Sequence, residues 1–224
     1  MSWIRSMVKR KGTLVCAALV SRVIVSGVVL VVIGAAGMAQ AETIVRKSTV
    51  YFPIGGRTAT DLDHELERKG PHTVSTGTRH PGATRIRFGG TMDYVRHRGS
   101  CAIGNIKVTV SIKVIVPRWK NRGSANPQLG LIWDTLSADI NRHESRHAEI
   151  AVQHARDLDQ KLKALPSATT CEELQEEVSV LTDQVTQEHD ADQLRFDRIE
   201  AVNFNDRIMR LLKYRYTKTK AHHD

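Results

Sequence analysis

The sequence predicts an α+β domain: a small sheet of antiparallel type, a long helix bearing the reactive residues, and a second long helix antiparallel to it. Three observations carry this reading. Residues 106–116 alternate between apolar and polar side chains, the two-residue period of a strand with one face on a core. Residues 127–165 repeat apolar side chains three and four apart, which marks one face of a helix. After Pro166, Thr170 and Glu173 open another apolar run with the spacing of a capping box, in which each side chain satisfies the other residue's backbone N–H.

The chain begins with a segment that reads as an address. Arg5, Lys9, Arg10, Lys11 and Arg22 are basic with no acidic residue among them, Val23–Gly37 is apolar, and Ala39-Gln40-Ala41 is an A-x-A processing signal before Glu42. The apolar run is short beside the roughly 20 residues of a spanning helix. Cleavage after Ala41 is therefore expected, rather than an anchor. Residues 1–41 are then an export signal peptide and residues 42–224 a single domain, periplasmic or secreted, which meets the membrane only through the leader. Cleavage removes 5 of the 33 Lys and Arg and none of the 24 Asp and Glu, so a net charge of +9 falls to +4. The remaining basic residues are dispersed and aromatics make up only 5% of the chain, which gives no nucleic-acid footprint. Cys16 leaves with the leader. Cys101 and Cys171 form an even pair in an oxidising compartment, where a disulfide is expected.

Within the domain, residues 43–54 read as a strand ending at Pro53 and Gly55-Gly56. Thr60-Asp61-Leu62 begins a short helix that Gly70-Pro71 closes. Ile86 and Phe88, interleaved with Arg85 and Arg87, suggest another strand before Gly89-Gly90. His64, His72, His80 and His97 are scattered in polar, glycine-rich surroundings and read as surface residues. The clearest strand is Ile106–Val116, stopped by Pro117. Standing just before the long helix, it is placed to take an extended peptide along an edge, although alternation describes an ordinary core strand equally well.

The long helix opens with Asn126, whose side chain suits an N-cap, and Pro127, which fits a first helical position needing no backbone donor. Its stripe runs through Leu129, Ile132, Leu136, Ile140, Ile150, Leu158, Leu162 and Leu165. His143 and His147 fall on that stripe with Glu144 beside them, a His-Glu-x-x-His arrangement. Side chains four apart on a helix point the same way, so two imidazole nitrogens can converge on one tetrahedral Zn2+. Zn2+ lowers the pKa of water at its open position to about 7, and a carboxylate next to the first histidine can accept the proton as that water attacks a carbonyl. Burial of two imidazoles on an apolar stripe is costly without such a purpose.

Catalytic zinc usually takes three protein ligands and keeps one position open. His154 stands seven residues beyond His147. That is about 10 Å along a helix axis, too far to share the metal with both others, and it reads as a satisfied histidine on the stripe. The second helix offers a partner. A short loop at residues 166–170 packs the two helices antiparallel, and counting outward from residue 168 brings His147 level with His189 and His143 level with Gln193. The second stripe, Leu174, Val178, Leu181 and Val185, resumes at Phe196 and Ile199 and is polar in that interval. His189 is therefore the first candidate for the third ligand, with Asp192, Asp197 and Glu200 behind it. Residues 213–224 are basic and polar and are expected to fray.

Gly70-Pro71, Cys101, the strand ending at Pro117, Trp133, His143-Glu144-x-x-His147, Cys171 and Phe196-Asp197 follow in that order behind an export signal. This order resembles a bacterial family of predicted secreted zinc-dependent proteases, otherwise a domain of unknown function. The likeness covers essentially all of residues 42–224, and only the zinc motif in it is chemically specific. In that family the aromatic-Asp pair is often followed by a Thr-x-His-Gly segment; here Glu200, Val202 and Asn203 stand in that region, so no ligand carries over from it. The resemblance implies a zincin-like fold and an exported metallopeptidase acting on a peptide or protein substrate, with Zn2+ on His143 and His147 and Glu144 as general base. The other class in view is a non-catalytic periplasmic binding or scaffold protein with a structural or vestigial metal site. An intact Glu144 favours the enzyme, since a purely structural site needs no base there.

Overall fold

A computed structural model describes residues 43–73 and 77–221; the expected leader, residues 1–41, lies outside them. The elements in order are β1 (Ile44–Ile54), α1 (Ala59–Lys69), β2 (Ala83–His97), β3 (Ser100–Trp119), a 3-10 turn (Arg122–Ser124), α2 (Pro127–Lys163) and α3 (Cys171–Lys220). The class is α+β, as the periodicities predict. Helix starts follow their caps. Thr58 and Asp61 form the capping box of α1, two residues ahead of Thr60. Asn126 Oδ1 accepts the Leu129 N–H at 2.8 Å with Pro127 in the first turn of α2. Thr170 Oγ1 accepts the Glu173 N–H at 3.1 Å while the Glu173 carboxylate accepts the Thr170 N–H at 3.2 Å.

The sheet has the order β1-β3-β2, with β2 antiparallel and β1 parallel to β3. It is mixed, which corrects the antiparallel type expected from the sequence. Directions alternate along the chain, but β3 takes the central place, so β1 becomes its parallel neighbour. The central strand is the one whose inward residues Val108, Val110, Ile112, Val114 and Val116 are all buried. Two other expectations are corrected here. β3 is paired on both sides over Thr109–Ile115, so that stretch offers no edge to a peptide; among the described residues β1 and β2 are the edge strands. The breakers also fail to break. Pro117 stays in register opposite Phe52, and β2 runs straight through Gly89-Gly90. At Gly90 a Cβ would stand 2.3 Å from the Lys107 carbonyl oxygen, so glycine is what lets the two strands approach there.

The main core packs the inward face of β3 against Ile140, Ala148, Ala151, Ala155, Leu158 and Leu162 of α2 and Val185 of α3. The row that α2 turns to the sheet is thus built largely from alanines, which leave room for the valines and isoleucines of β3. Of the predicted stripe, Leu129, Ile140, Leu158 and Leu162 are buried and Leu136 and Leu165 pack against the core, whereas Ile132 is exposed and Ile150 only half-buried. A second cluster joins Ile54, Leu62, Leu66, Trp119, Leu129 and Trp133, with the Trp119 and Trp133 rings 5.7 Å apart. The third holds Cys101, Cys171 and Leu174 around the expected disulfide. Cys101 and Ala168 also exchange backbone hydrogen bonds of 2.8 and 3.0 Å, which pins the loop after α2 to β3. α3 stays helical through Lys220, past Leu212, with residues 213–220 mostly exposed where fraying was expected.

Candidate metal centre

The buried row of α2 includes Glu144, only 4% exposed, and so places the two histidines of the motif on the neighbouring flank, which faces α3. There Phe196 lies against both imidazoles, its ring centroid 4.9 Å from that of His143 and 5.1 Å from that of His147. Next to Phe196, Asp197 completes a triangle. His143 Nε2 and His147 Nε2 are 2.9 Å apart, and Asp197 Oδ1 lies 3.2 Å from the first and 3.0 Å from the second. Among the described residues this is the one group of three His, Cys, Asp or Glu whose ligand atoms lie within 4.8 Å of each other. A tetrahedral ion with bonds of about 2.0–2.1 Å holds its ligand atoms roughly 3.3 Å apart. The triangle is on that scale, and Asp197, half-exposed, opens it to solvent.

The proton positions follow from Gln193. Its carboxamide nitrogen donates to the His147 main-chain carbonyl at 3.1 Å and to His189 Nε2 at 2.8 Å, which leaves its oxygen to accept from His147 Nδ1. With the proton on Nδ1, His147 turns an Nε2 lone pair into the triangle. Such outer hydrogen bonds orient a ligating imidazole and fix its tautomer. His143 Nδ1 faces Glu200 Oε2 at 3.7 Å, which favours the same tautomer there. Two imidazole lone pairs and a carboxylate oxygen then converge within hydrogen-bond distance, an arrangement that repels unless a cation or a proton sits among them. In electrostatic terms the same conflict raises the pKa of His147: burial opposes its charge, and hydrogen bonds to Asp197 and Gln193 outweigh that. Burial likewise pushes Asp197 up, but the two histidines hold its carboxyl well below the usual range.

Glu144 is held from the other side. Thr84 Oγ1, at the start of β2, donates to Glu144 Oε2 at 2.7 Å and lies 3.0 Å from its main-chain carbonyl. Gly82 faces the same carboxylate, and a Cβ there would stand 2.6 Å from Glu144 Oε1. Burial raises the Glu144 pKa, against the Thr84 hydrogen bond and the nearby histidines. A carboxyl so placed is a better proton acceptor at neutral pH than a solvated one.

Of the four candidates for a third ligand, the structure brings Asp197 to the histidine pair. His189 is one helical turn away, its ring edge-on to Phe88 with centroids 5.0 Å apart and its Nδ1 donating to Asp190 at 2.9 Å. Burial lowers its pKa. Asp192 pairs with His154 at 3.1 Å and Arg195 at 2.8 Å, so His154 is the satisfied histidine expected. Glu200 is engaged by Arg142 and, at 3.0 Å, by Arg207. The count from the loop thus misplaces α3 by one turn, with His147 meeting Gln193 instead of His189. The loop does not reverse symmetrically, because its pairing with Cys101 spends residues on a detour to β3. Thr84 and Gly82 escaped the sequence reading altogether. Thr84 is 60 residues from Glu144, and no local pattern signals such a contact.

The family model described as Bacterial protein of unknown function (DUF922) matches residues 49–204, and the chain belongs to that family. The match covers the sheet from Thr49 in β1 onward, α2 and the part of α3 that carries Asp197. No curated protein and no solved structure matches the chain.

Proposed function

We propose that this DUF922 protein is an exported zinc-dependent peptidase with a zincin-like arrangement, in which His143, His147 and Asp197 hold the metal and Glu144 is the general base. The observation that carries the reading is the triangle of three ligand atoms 2.9, 3.0 and 3.2 Å apart, beside a buried glutamate. Bound zinc supplies an acidified water and a Lewis acid for a peptide carbonyl. The chain's own residues do the rest. Gln193 and Phe196 hold the imidazoles in place, and Thr84 fixes the Glu144 carboxylate. Glu144 takes the proton from the attacking water and returns it to the departing amine. The open edge of β2, which carries Thr84, is where an extended substrate peptide can add as a further strand.

The test is Glu144→Gln. Glutamine is nearly isosteric and Glu144 is not a ligand, so fold and bound zinc are expected to persist. Hydrolysis of an unstructured protein is expected to fall at least ~100-fold, the lower range for a positioned base. Stoichiometric zinc with turnover unchanged in Glu144→Gln would sink the mechanism. One observation favours a second reading, a non-catalytic exported scaffold: Asp197 hydrogen-bonds both histidines, and this satisfies them without a metal if they are protonated. Wild-type protein that takes up no zinc in metal analysis after dialysis against it would favour that reading.

A further inference from the structure

The C-terminal half of α3 has two faces. Glu200, Arg207 and Leu211 turn inward; Arg207 reaches Asp139 on α2 at 2.9 and 3.1 Å. On the far side, at 100° per residue, stand Val202, Met209 and Tyr216, respectively 84, 66 and 61% exposed. Val202, Met209 and Tyr216 recur every seven residues, which keeps them in one stripe along the helix. The same face carries Arg195, Arg198, Lys213 and Lys220, with Asp206 as its one acidic residue. Arg195 is paired with Asp192, whereas Arg198, Lys213 and Lys220 have no ion-pair partner among the described residues.

We infer that this face of α3 is a docking surface for an anionic phospholipid bilayer, lying in the headgroup plane. Apolar side chains framed by basic ones along one helix face match a surface with negative headgroups above acyl chains. A spanning role does not arise, since no helix among the described residues is long and apolar enough to cross a membrane. A second copy of the chain fits the surface poorly: an antiparallel pairing centred on Met209 sets Arg198 against Lys220, like charge on like. Met209, Lys213, Tyr216 and Lys220 lie beyond residue 204, where the family match ends, and Arg195, Arg198 and Val202 lie within it. This inference does not depend on a metal at the candidate centre.

The test uses the chain from Glu42, which contains all three core clusters, in co-sedimentation with vesicles of phosphatidylcholine alone and with phosphatidylglycerol added. Binding is expected only with phosphatidylglycerol. The variant Arg198→Glu/Lys213→Glu/Lys220→Glu is expected to bind at least about a hundredfold more weakly. Val202→Ser/Met209→Ser/Tyr216→Ser is expected to lose binding while far-ultraviolet dichroism stays helical. An environment-sensitive fluorophore attached to the thiol of the Val202→Cys variant is expected to shift to the blue on the anionic vesicles only. Equal binding to both vesicle types, binding unchanged in the charge-reversed variant, no binding by the wild type, or a dimer that the serine variant dissolves would each overturn the inference.

Discussion

Gln193 and His147 are tied at two points: the carboxamide oxygen accepts from the imidazole Nδ1–H, and the carboxamide nitrogen donates to the His147 main-chain carbonyl at 3.1 Å. A side chain that grips both the ring and the backbone of one histidine fixes which nitrogen faces Asp197. Gln193→Leu is expected to weaken zinc binding about 10–100-fold without unfolding the helix pair, as removal of an outer-shell partner does elsewhere. Competition against a chromophoric chelator measures it. Gln193→Glu keeps the acceptor and is expected to recover most of the loss; unchanged affinity in Gln193→Leu would remove the orienting role.

The choice of third ligand is equally accessible to measurement. His143→Ala, His147→Ala and Asp197→Ala are each expected to lose stoichiometric zinc, because removal of a ligand empties such a site. His189→Ala is expected to retain it, since His189 stands beyond Gln193 and bonds to Asp190. Retention of zinc in Asp197→Ala with its loss in His189→Ala would return His189 to the coordination shell.

The Cys101–Cys171 bridge joins residues 70 apart in sequence. In the chain-entropy account, closing a loop of that size contributes about 4 kcal/mol. Cys101→Ser/Cys171→Ser is expected to lose about that much in urea unfolding relative to the oxidised wild type. Loss of less than about 1 kcal/mol would mean that the pairing of Cys101 with Ala168 and the packing of Leu174 anchor the loop unaided.

Acid is expected to loosen the link between α2 and the far half of α3. Burial works against the Asp139 carboxylate, but Arg207 and Arg142 outweigh it and hold its pKa below the usual value. A folded-state pKa below the unfolded one contributes stability that is present above about pH 4 and is lost as pH falls through the folded value. The stability difference between wild type and Asp139→Asn, followed by urea unfolding, is therefore expected to be largest near neutrality and to shrink below about pH 4. A difference that grows toward acid would contradict the assignment.

Local signals in the sequence were enough to locate the helices and strands, though not the ends of β2 and β3. Asn126 with Pro127, and Thr170 with Glu173, mark helix starts because caps act within one turn. The alternation of Ile106–Val116 marks a strand because side chains on a strand switch faces at every residue. His143, Glu144 and His147 are legible as a unit for the same reason, since four residues make roughly one helical turn. Tertiary structure decided everything that depends on which faces meet. Alanines at 148, 151 and 155 turned Glu144 to the sheet and the histidines to α3, although large side chains dominated the visible periodicity. The detour of the loop to Cys101 moved α3 by one turn, which brought Asp197 and Gln193 to the histidines in place of His189. Thr84 and Gly82 reached Glu144 across 60 or more residues of sequence, a contact that no spacing rule encodes. A helix's period is written in its own residues; its rotation and register against a neighbour are set only when both surfaces pack.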